Sequence, residues 1–128
     1  MIAVDSSVII DYLQRVDSRH VQMLKDAIDD FSAAISPVVI TELMSQPSVT
    51  GSALAKEFLS EVEPLEMYED YWERAGRLRA KLKAKGLKAK IADALIAQSC
   101  IDHGLALLTR DEDFRHYAKH GLKLAMSR

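Results

Sequence analysis

Four acidic residues occupy unusual positions in this sequence, either among apolar residues or just after an apolar run. They are Asp5, Glu42, Asp93 and Asp111. Acids gathered from distant segments repel one another, and a divalent cation removes that repulsion. Oxygen donors without cysteine or an obvious histidine partner suit the hard ions Mg²⁺ and Mn²⁺ better than zinc. The set therefore predicts a divalent metal site, with Asp113 as an auxiliary candidate ligand.

Asp93 has the most unusual surroundings of the four acids. It is the only charged residue in the segment 91–101, whose other residues are almost all apolar. A helix that is apolar nearly all round is a buried helix, and a buried carboxylate is costly unless it is paired or bound to metal. Two interpretations stay open: a structural ion pair with Lys90, one turn earlier, and a metal ligand.

Asp5 and Asp111 each lie just past a run that predicts a strand. Asp is favoured at helix N-caps, so either side chain could cap the helix that follows it. Thr109 offers an alternative cap for the last helix, which would leave Asp111 free. The competing interpretation makes both acids metal ligands at one edge of a sheet.

Glu42 lies among Val38, Val39, Ile40, Leu43 and Met44. These apolar neighbours leave little of the helix circumference polar, so we expect the carboxylate to be partly buried. This feature alone supports two interpretations about equally. Glu42 either faces water on an amphipathic helix or belongs to the metal site.

Strands and helices alternate along the chain in the elements that must position these acids. The predicted strands are 2–4, 33–35, 64–67, 105–108 and 122–124, and the predicted helices are 7–15, 21–31, 37–46, 53–61, 68–86, 91–101 and 113–119. This alternation predicts an α/β fold with a mainly parallel sheet covered on both faces. In such folds ligands bind at the carboxyl ends of the strands, where Asp5 and Asp111 fall.

Composition predicts one soluble domain over residues 1–128. The chain is 48% hydrophobic and 28% charged with a net charge of −2, so overall charge is not what would hold a nucleic acid. Cys100 is the only cysteine, and its apolar neighbours predict a core residue. With no signal-like N-terminus and no apolar run of membrane-spanning length, we expect a cytoplasmic protein.

A basic segment precedes Asp93. It holds eight of the 17 basic residues and no acid: Arg74, Arg77, Arg79, Lys81, Lys83, Lys85, Lys88 and Lys90. It is interpreted either as a solvated helix face or as a track for a phosphate backbone. Tyr71 and Trp72 lie just before the start of this segment, and their rings could stack on a base. For Trp72 the prediction is core packing.

The four histidines are predicted to be surface residues: His20, His103, His116 and His120.

Four motifs together resemble the PIN-domain nucleases, in particular the VapC-like toxins of toxin–antitoxin pairs. They are Val-Asp-Ser-Ser from residue 4, Thr-Glu-Leu from residue 41, Ala-Asp-Ala-Leu-Ile-Ala from residue 92 and Leu-Leu-Thr-Arg-Asp-Glu-Asp-Phe from residue 107. They lie in family order and span nearly the whole chain. The last two are the more specific.

The resemblance implies a PIN-like α/β fold, with a short central sheet sandwiched by helices. It implies Mg²⁺- or Mn²⁺-dependent RNA cleavage, with Asp5, Glu42, Asp93 and Asp111 as metal-binding catalytic acids and Asp113 as a further match. It also implies a cognate antitoxin and a homodimer. Two features depart from the family: the Leu-Met-Ser-Gln-Pro sequence after Glu42, where many relatives have a glycine-containing turn, and the density of basic residues before Asp93.

Other functions remain as alternatives. A PIN-like module that has lost catalysis would bind only a protein partner, and a PIN-like nuclease could act on DNA. A phosphatase using Asp5 as a nucleophile would commonly have a second Asp two residues later, where this chain has Ser7.

Overall fold

The computed structural model describes residues 1–126, so the last two residues of the predicted domain, 127 and 128, lie outside the described part. The strands are β1 (Ile2–Val4), β2 (Ala33–Ile35), β3 (Glu63–Pro64), β4 (Ala106–Leu108) and β5 (Lys123–Leu124). The helices are α1 (Ser6–Leu13), α2 (Arg19–Asp29), α3 (Pro37–Met44), α4 (Pro47–Thr50), α5 (Ala53–Ser60), α6 (Tyr71–Ala84) and α7 (Ile91–His103). A 3₁₀ helix, Glu112–His120, joins β4 to β5.

The five strands form one parallel sheet in the order β3-β2-β1-β4-β5. The central strand β1 pairs with β2 on one side and β4 on the other. The predicted α/β fold, with a parallel sheet flanked by helices, is confirmed. Because all strands point the same way, their carboxyl ends meet along one edge.

Small and branched apolar residues make the strands suitable for burial on both faces. Val4, Ala34, Ile35 and Leu108 are fully buried, as expected where helices cover both sides of a parallel sheet. Cys100 of α7 is also fully buried, which confirms its predicted place in the core.

Helix α7 is the buried helix that its apolar sequence predicts. Ile96, Ala97 and Cys100 are at most 1% exposed, and the helix packs against α6, α3 and the 3₁₀ helix. Gly104 ends it with a left-handed φ of 63°, a conformation in which glycine has no Cβ penalty. The buried helix fixes Asp93 in its first turn.

Several predicted boundaries were wrong for local reasons. The predicted helix 37–46 ends at Met44, and Pro47 begins the short helix α4, which was not predicted. Helix α6 begins at Tyr71 rather than residue 68, because Asp70 adopts a left-handed φ of 59°. The predicted strand 64–67 is only Glu63–Pro64, where it pairs with the end of β2.

The predicted core packing of Trp72 is also wrong. Trp72 is 60% exposed, whereas its neighbour Tyr71 is 2% exposed. The Tyr71 hydroxyl donates to the carbonyl of Leu95 and accepts from Ser99 Oγ at 3.1 Å. Tyr71, whose hydroxyl has hydrogen-bond partners, therefore takes the buried place on α6.

None of the helices in the described part of the chain combines the length and apolar character that a bilayer crossing requires.

Candidate functional site

The segments after β1 and β4 leave the sheet side by side at its carboxyl edge. The two strands are neighbours, and the backbone N–H of Asp5 donates to the carbonyl of Leu108 at 3.0 Å. Asp5 and Asp111 therefore come from adjacent strand ends, as the strand-end rule predicts.

Two hydroxyls hold the carboxylate of Asp5, which is 5% exposed. Its Oδ2 accepts from Thr109 Oγ1 at 2.7 Å and from Ser7 Oγ at 2.9 Å. Asp5 occupies the N-cap position of α1, but its side chain makes no capping hydrogen bond. The capping interpretation of this carboxylate is therefore wrong, and the side chain is oriented by residues from two separate strand ends.

Asp111 caps the 3₁₀ helix, as one of the two interpretations of this acid predicted, and Thr109 does not take that place. Its Oδ1 accepts from the backbone N–H of Asp113 at 2.9 Å. Thr109 is engaged elsewhere, because its hydroxyl donates to Asp5 and accepts from the N–H of Asp111 at 3.0 Å. Capping uses only one oxygen of Asp111, so it is compatible with a further role for the other.

Asp93 is 8% exposed and makes no salt bridge or hydrogen bond through its carboxylate to any residue in 1–126. The proposed ion pair with Lys90 does not form. Burial, followed by the charges of Asp111 and Asp5, raises the pKa of Asp93 to about 6, although Lys90 lowers it. The carboxylate oxygens keep some access to solvent, since neither is a fully buried atom without a partner, but ionising a largely buried acid that has no ion pair is still costly.

Glu42 is half-buried on α3, as expected, and its Oε1 accepts from Ser6 Oγ at 3.3 Å. Burial raises the pKa of Glu42, and Asp5 and Asp93 add to the shift. The four predicted acids therefore form one electrostatically coupled group, which we call the acidic cluster: Asp5, Glu42, Asp93 and Asp111.

The acidic cluster fits a hard divalent cation by its donor chemistry and by the unpaired charge of Asp93. It is not a finished cage, since no three Asp, Glu, His or Cys side chains within residues 1–126 are arranged to hold one ion as they stand. Asp113 is a neighbour of the cluster, and its Oδ2 lies 3.5 Å from Lys88 Nζ.

The basic segment divides into structural and exposed residues. Arg74 makes a two-armed contact with Asp102 of α7, with Nη2 at 2.7 Å from Oδ2, and Arg79 Nε donates to the carbonyl of Ala89 at 2.7 Å. The others, exposed on α6 or just after it, are Arg77, Lys81, Lys83, Lys85, Lys88 and Lys90. Only this second group could follow a phosphate backbone.

Sequence reasoning missed the positioning roles of Ser7 and Thr109. The available signal was a hydroxyl residue two positions away from each strand-end acid. It also missed Tyr117, which is fully buried and whose hydroxyl has no hydrogen-bond partner in the described chain. Burial, followed by the charge of Asp93, raises the pKa of Tyr117 to about 12. The four histidines are each partly exposed rather than fully on the surface.

Solved structures share this fold. VapBC2 from Rickettsia felis bound to a promoter DNA fragment matches with a TM-score of 0.73 and 23% identity over 100% of both chains. VapBC-1 from nontypeable Haemophilus influenzae matches with a TM-score of 0.73 and 19% identity, covering 97% of this chain and 96% of that one. A toxin–antitoxin complex from Klebsiella pneumoniae gives a TM-score of 0.67 and 25% identity, covering 89% and 90%.

No curated protein matches the sequence. The family model described as the PIN domain matches residues 2–120, which include all four members of the acidic cluster. Since that match spans nearly the whole sequence, the chain belongs to the PIN domain family.

Proposed function

We propose that this chain is a Mg²⁺- or Mn²⁺-dependent endoribonuclease, the toxin of a toxin–antitoxin pair, folded as a single domain. The observation that carries the proposal is Asp93, a buried carboxylate with no partner in the described chain, coupled to Asp5 and Asp111. A folded protein retains such a costly group where it has a use for the charge.

The residues have distinct tasks in this proposal. Asp5 and Asp93 would hold the principal ion, and Glu42 and Asp111 would complete the site directly or through water, with Asp113 as an auxiliary ligand. When bound, the ion supplies an activated water and neutralises charge on the phosphate and the leaving oxygen. Ser7 and Thr109 hold Asp5 in one orientation, and the backbone of α7 fixes Asp93.

The partners follow from the family and its neighbours. The solved structures similar to this chain include VapBC and other toxin–antitoxin complexes, so we propose a cognate antitoxin that covers the site. A homodimer and a cytoplasmic location belong to the same proposal. RNA is the proposed substrate because the family resemblance implies it, while the exposed lysines of α6 would contact phosphates.

The proposal is tested by incubating purified, antitoxin-free protein with defined RNAs and DNAs in Mg²⁺, Mn²⁺ or chelator. We expect cuts in RNA that require the metal and stop with chelator. Cleavage of DNA in preference to RNA would favour a DNA nuclease, and neither cleavage nor Mn²⁺ binding would favour an inactive protein-binding module.

A further inference from the structure

A cavity of about 560 Å³ opens beside the carboxyl end of β4. Leu107 of β4, Leu124 of β5, Ala118 of the 3₁₀ helix and Met126 give it an apolar lining. A volume of this size is typical of pockets that hold one small organic molecule. The apolar surface favours a flat or hydrophobic group over a bare ion.

The cavity shares a wall with the acidic cluster. Thr109 and Asp111 line it, and the hydroxyl of Thr109 is also the group that donates to Asp5 at 2.7 Å. A molecule in the cavity would therefore share Thr109 and Asp111 with a substrate held at the cluster. This continuity connects the cavity to the substrate.

Two arginines lie at the polar side of the cavity, and each is close to a carboxylate. Arg110 Nε lies 2.6 Å from Asp11 Oδ2, and Arg115 Nη2 lies 3.6 Å from Glu112 Oε2. The largely buried Asp11 restrains Arg110, whereas Arg115 and Glu112 form an exposed pair that leaves Arg115 able to turn towards a ligand. Guanidinium planes of this kind stack on the unstacked bases of single-stranded RNA.

We propose that this cavity binds the base of the nucleotide next to the scissile phosphate, and so helps to select where RNA is cut. The inference rests on the proposed nuclease function. An apolar lining with arginines at its edge suits a heteroaromatic base, whose faces are apolar and whose edges are polar. An acidic peptide is a poorer occupant, because Asp111 and Glu112 line the cavity and Asp11 lies beside Arg110, so that three carboxylates would repel it.

Binding is measured first, by NMR titration of the four nucleoside 5′-monophosphates into the chain in chelator. Ala118→Phe fills the cavity from an exposed helical position, and Lys119→Phe places the same ring on the next residue, which does not line the cavity. We expect shifts at the amides of Leu107, Ala118 and Leu124 in the wild type and in Lys119→Phe. Ala118→Phe should lose them.

Cleavage of a randomised RNA pool is measured next. Ala118→Phe and Arg115→Ala should change the nucleotide preference at one position beside the cut, while Lys119→Phe should not. Unchanged cut-site preference in both cavity variants would overturn the proposal. A second result would also overturn it: a co-expressed antitoxin protects the cavity amides from hydrogen exchange, while no monophosphate shifts their NMR signals. That result would assign the cavity to a protein partner.

The same data separate this inference from the function on which it rests. Suppose that the wild type binds monophosphates but cuts no RNA, and that Ala118→Phe loses this binding. That result would refute the nuclease function and retain a nucleotide-binding cavity. RNA cleavage with no monophosphate binding and no change in preference would retain the nuclease and refute the cavity.

Discussion

At the scale of single residues, the acidic cluster combines one unsatisfied acid with one tightly held acid. Asp93 has no partner in the described chain, whereas Asp5 accepts hydrogen bonds from Ser7 and Thr109. The two acids should respond differently to substitution. Removing the charge of Asp93 relieves a cost, and removing a donor to Asp5 loosens a ligand.

Replacing Asp93 with Asn should stabilise the metal-free protein near neutral pH. The native pKa of Asp93 is raised to about 6 from 3.8, so the folded state loses stability as pH rises from about 4 through 6 and the carboxyl ionises. The full cost is present above pH 6. The shift from 3.8 to about 6 corresponds to about 3 kcal/mol, and solvent screening of the partly accessible carboxylate reduces this to on the order of 2 kcal/mol. Urea unfolding in chelator at pH 4, 5, 6 and 8 measures it.

The difference between Asp93→Asn and wild type should shrink towards zero as pH falls to about 4, where both side chains are neutral. Asp17→Asn, an exposed site, is the matched control and should change little at any pH. A variant that is less stable at pH 8, or a difference independent of pH, would contradict the uncompensated burial of Asp93.

Replacing Thr109 with Val should weaken metal binding without unfolding the chain. The substitution keeps the shape and removes the hydroxyl that donates to Asp5 at 2.7 Å. Loss of such an orienting partner typically costs 10–100-fold in metal affinity, and we expect about that effect. Calorimetric titration with Mn²⁺ measures it. Thr109→Ser should retain most of the affinity, and equal affinity in Thr109→Val would show that the hydroxyl does not position Asp5.

At the scale of elements, α6 carries two kinds of basic residue. Arg74 and Arg79 attach it to α7 and to the Ala89 carbonyl, while the exposed lysines remain available to a ligand. Burial lowers the pKa of His120 in the 3₁₀ helix, and the nearby charges of Lys85 and Lys81 lower it further. The carboxyl end of α6 is therefore beside the helix that carries Asp113.

The double variant Lys81→Ala/Lys85→Ala should bind RNA more weakly if this face follows the backbone. Each lost phosphate contact on a single strand reduces the slope of log K against log salt by about 0.7. For the pair we expect the slope to fall by about 1.4. Fluorescence anisotropy measures RNA binding in chelator, where the RNA is not cut. Lys25→Ala/Lys56→Ala, on α2 and α5, is the control. An unchanged slope would leave α6 as a solvated face.

The elements themselves were largely predictable, because hydrophobic periodicity and the Gly and Pro signals are local. Strand 33–35 and the start of α7 after Lys90 match the prediction. What failed depends on tertiary contacts or rare backbone conformations. The left-handed Asp70 sets the start of α6 at Tyr71. Tertiary packing then buries Tyr71, in helical register with Ala75 and Leu78, instead of Trp72.

At the scale of the whole molecule, the parallel sheet unites acids that are far apart in sequence. Asp5 and Asp111 follow adjacent strands, α3 brings Glu42 from beyond β2, and buried α7 fixes Asp93 nearby. The strand-end rule predicted from sequence that Asp5 and Asp111 would meet, whereas Glu42 and Asp93 were predicted from their apolar surroundings and the family resemblance. The rule could not predict the hydroxyl contacts between the β1 and β4 ends, which depend on side-chain orientation across 104 residues, or the cavity beside them.

The most direct test of the account is RNA cleavage by Asp93→Asn beside wild type and Asp17→Asn, in saturating Mn²⁺ and with folding checked by circular dichroism. The account predicts that Asp93→Asn is folded, is at least as stable as wild type in chelator, and cuts no more RNA than the chelator blank. Asp17→Asn should cut as wild type does. Metal-dependent cleavage by a folded Asp93→Asn at the wild-type rate would contradict the central role of the acidic cluster.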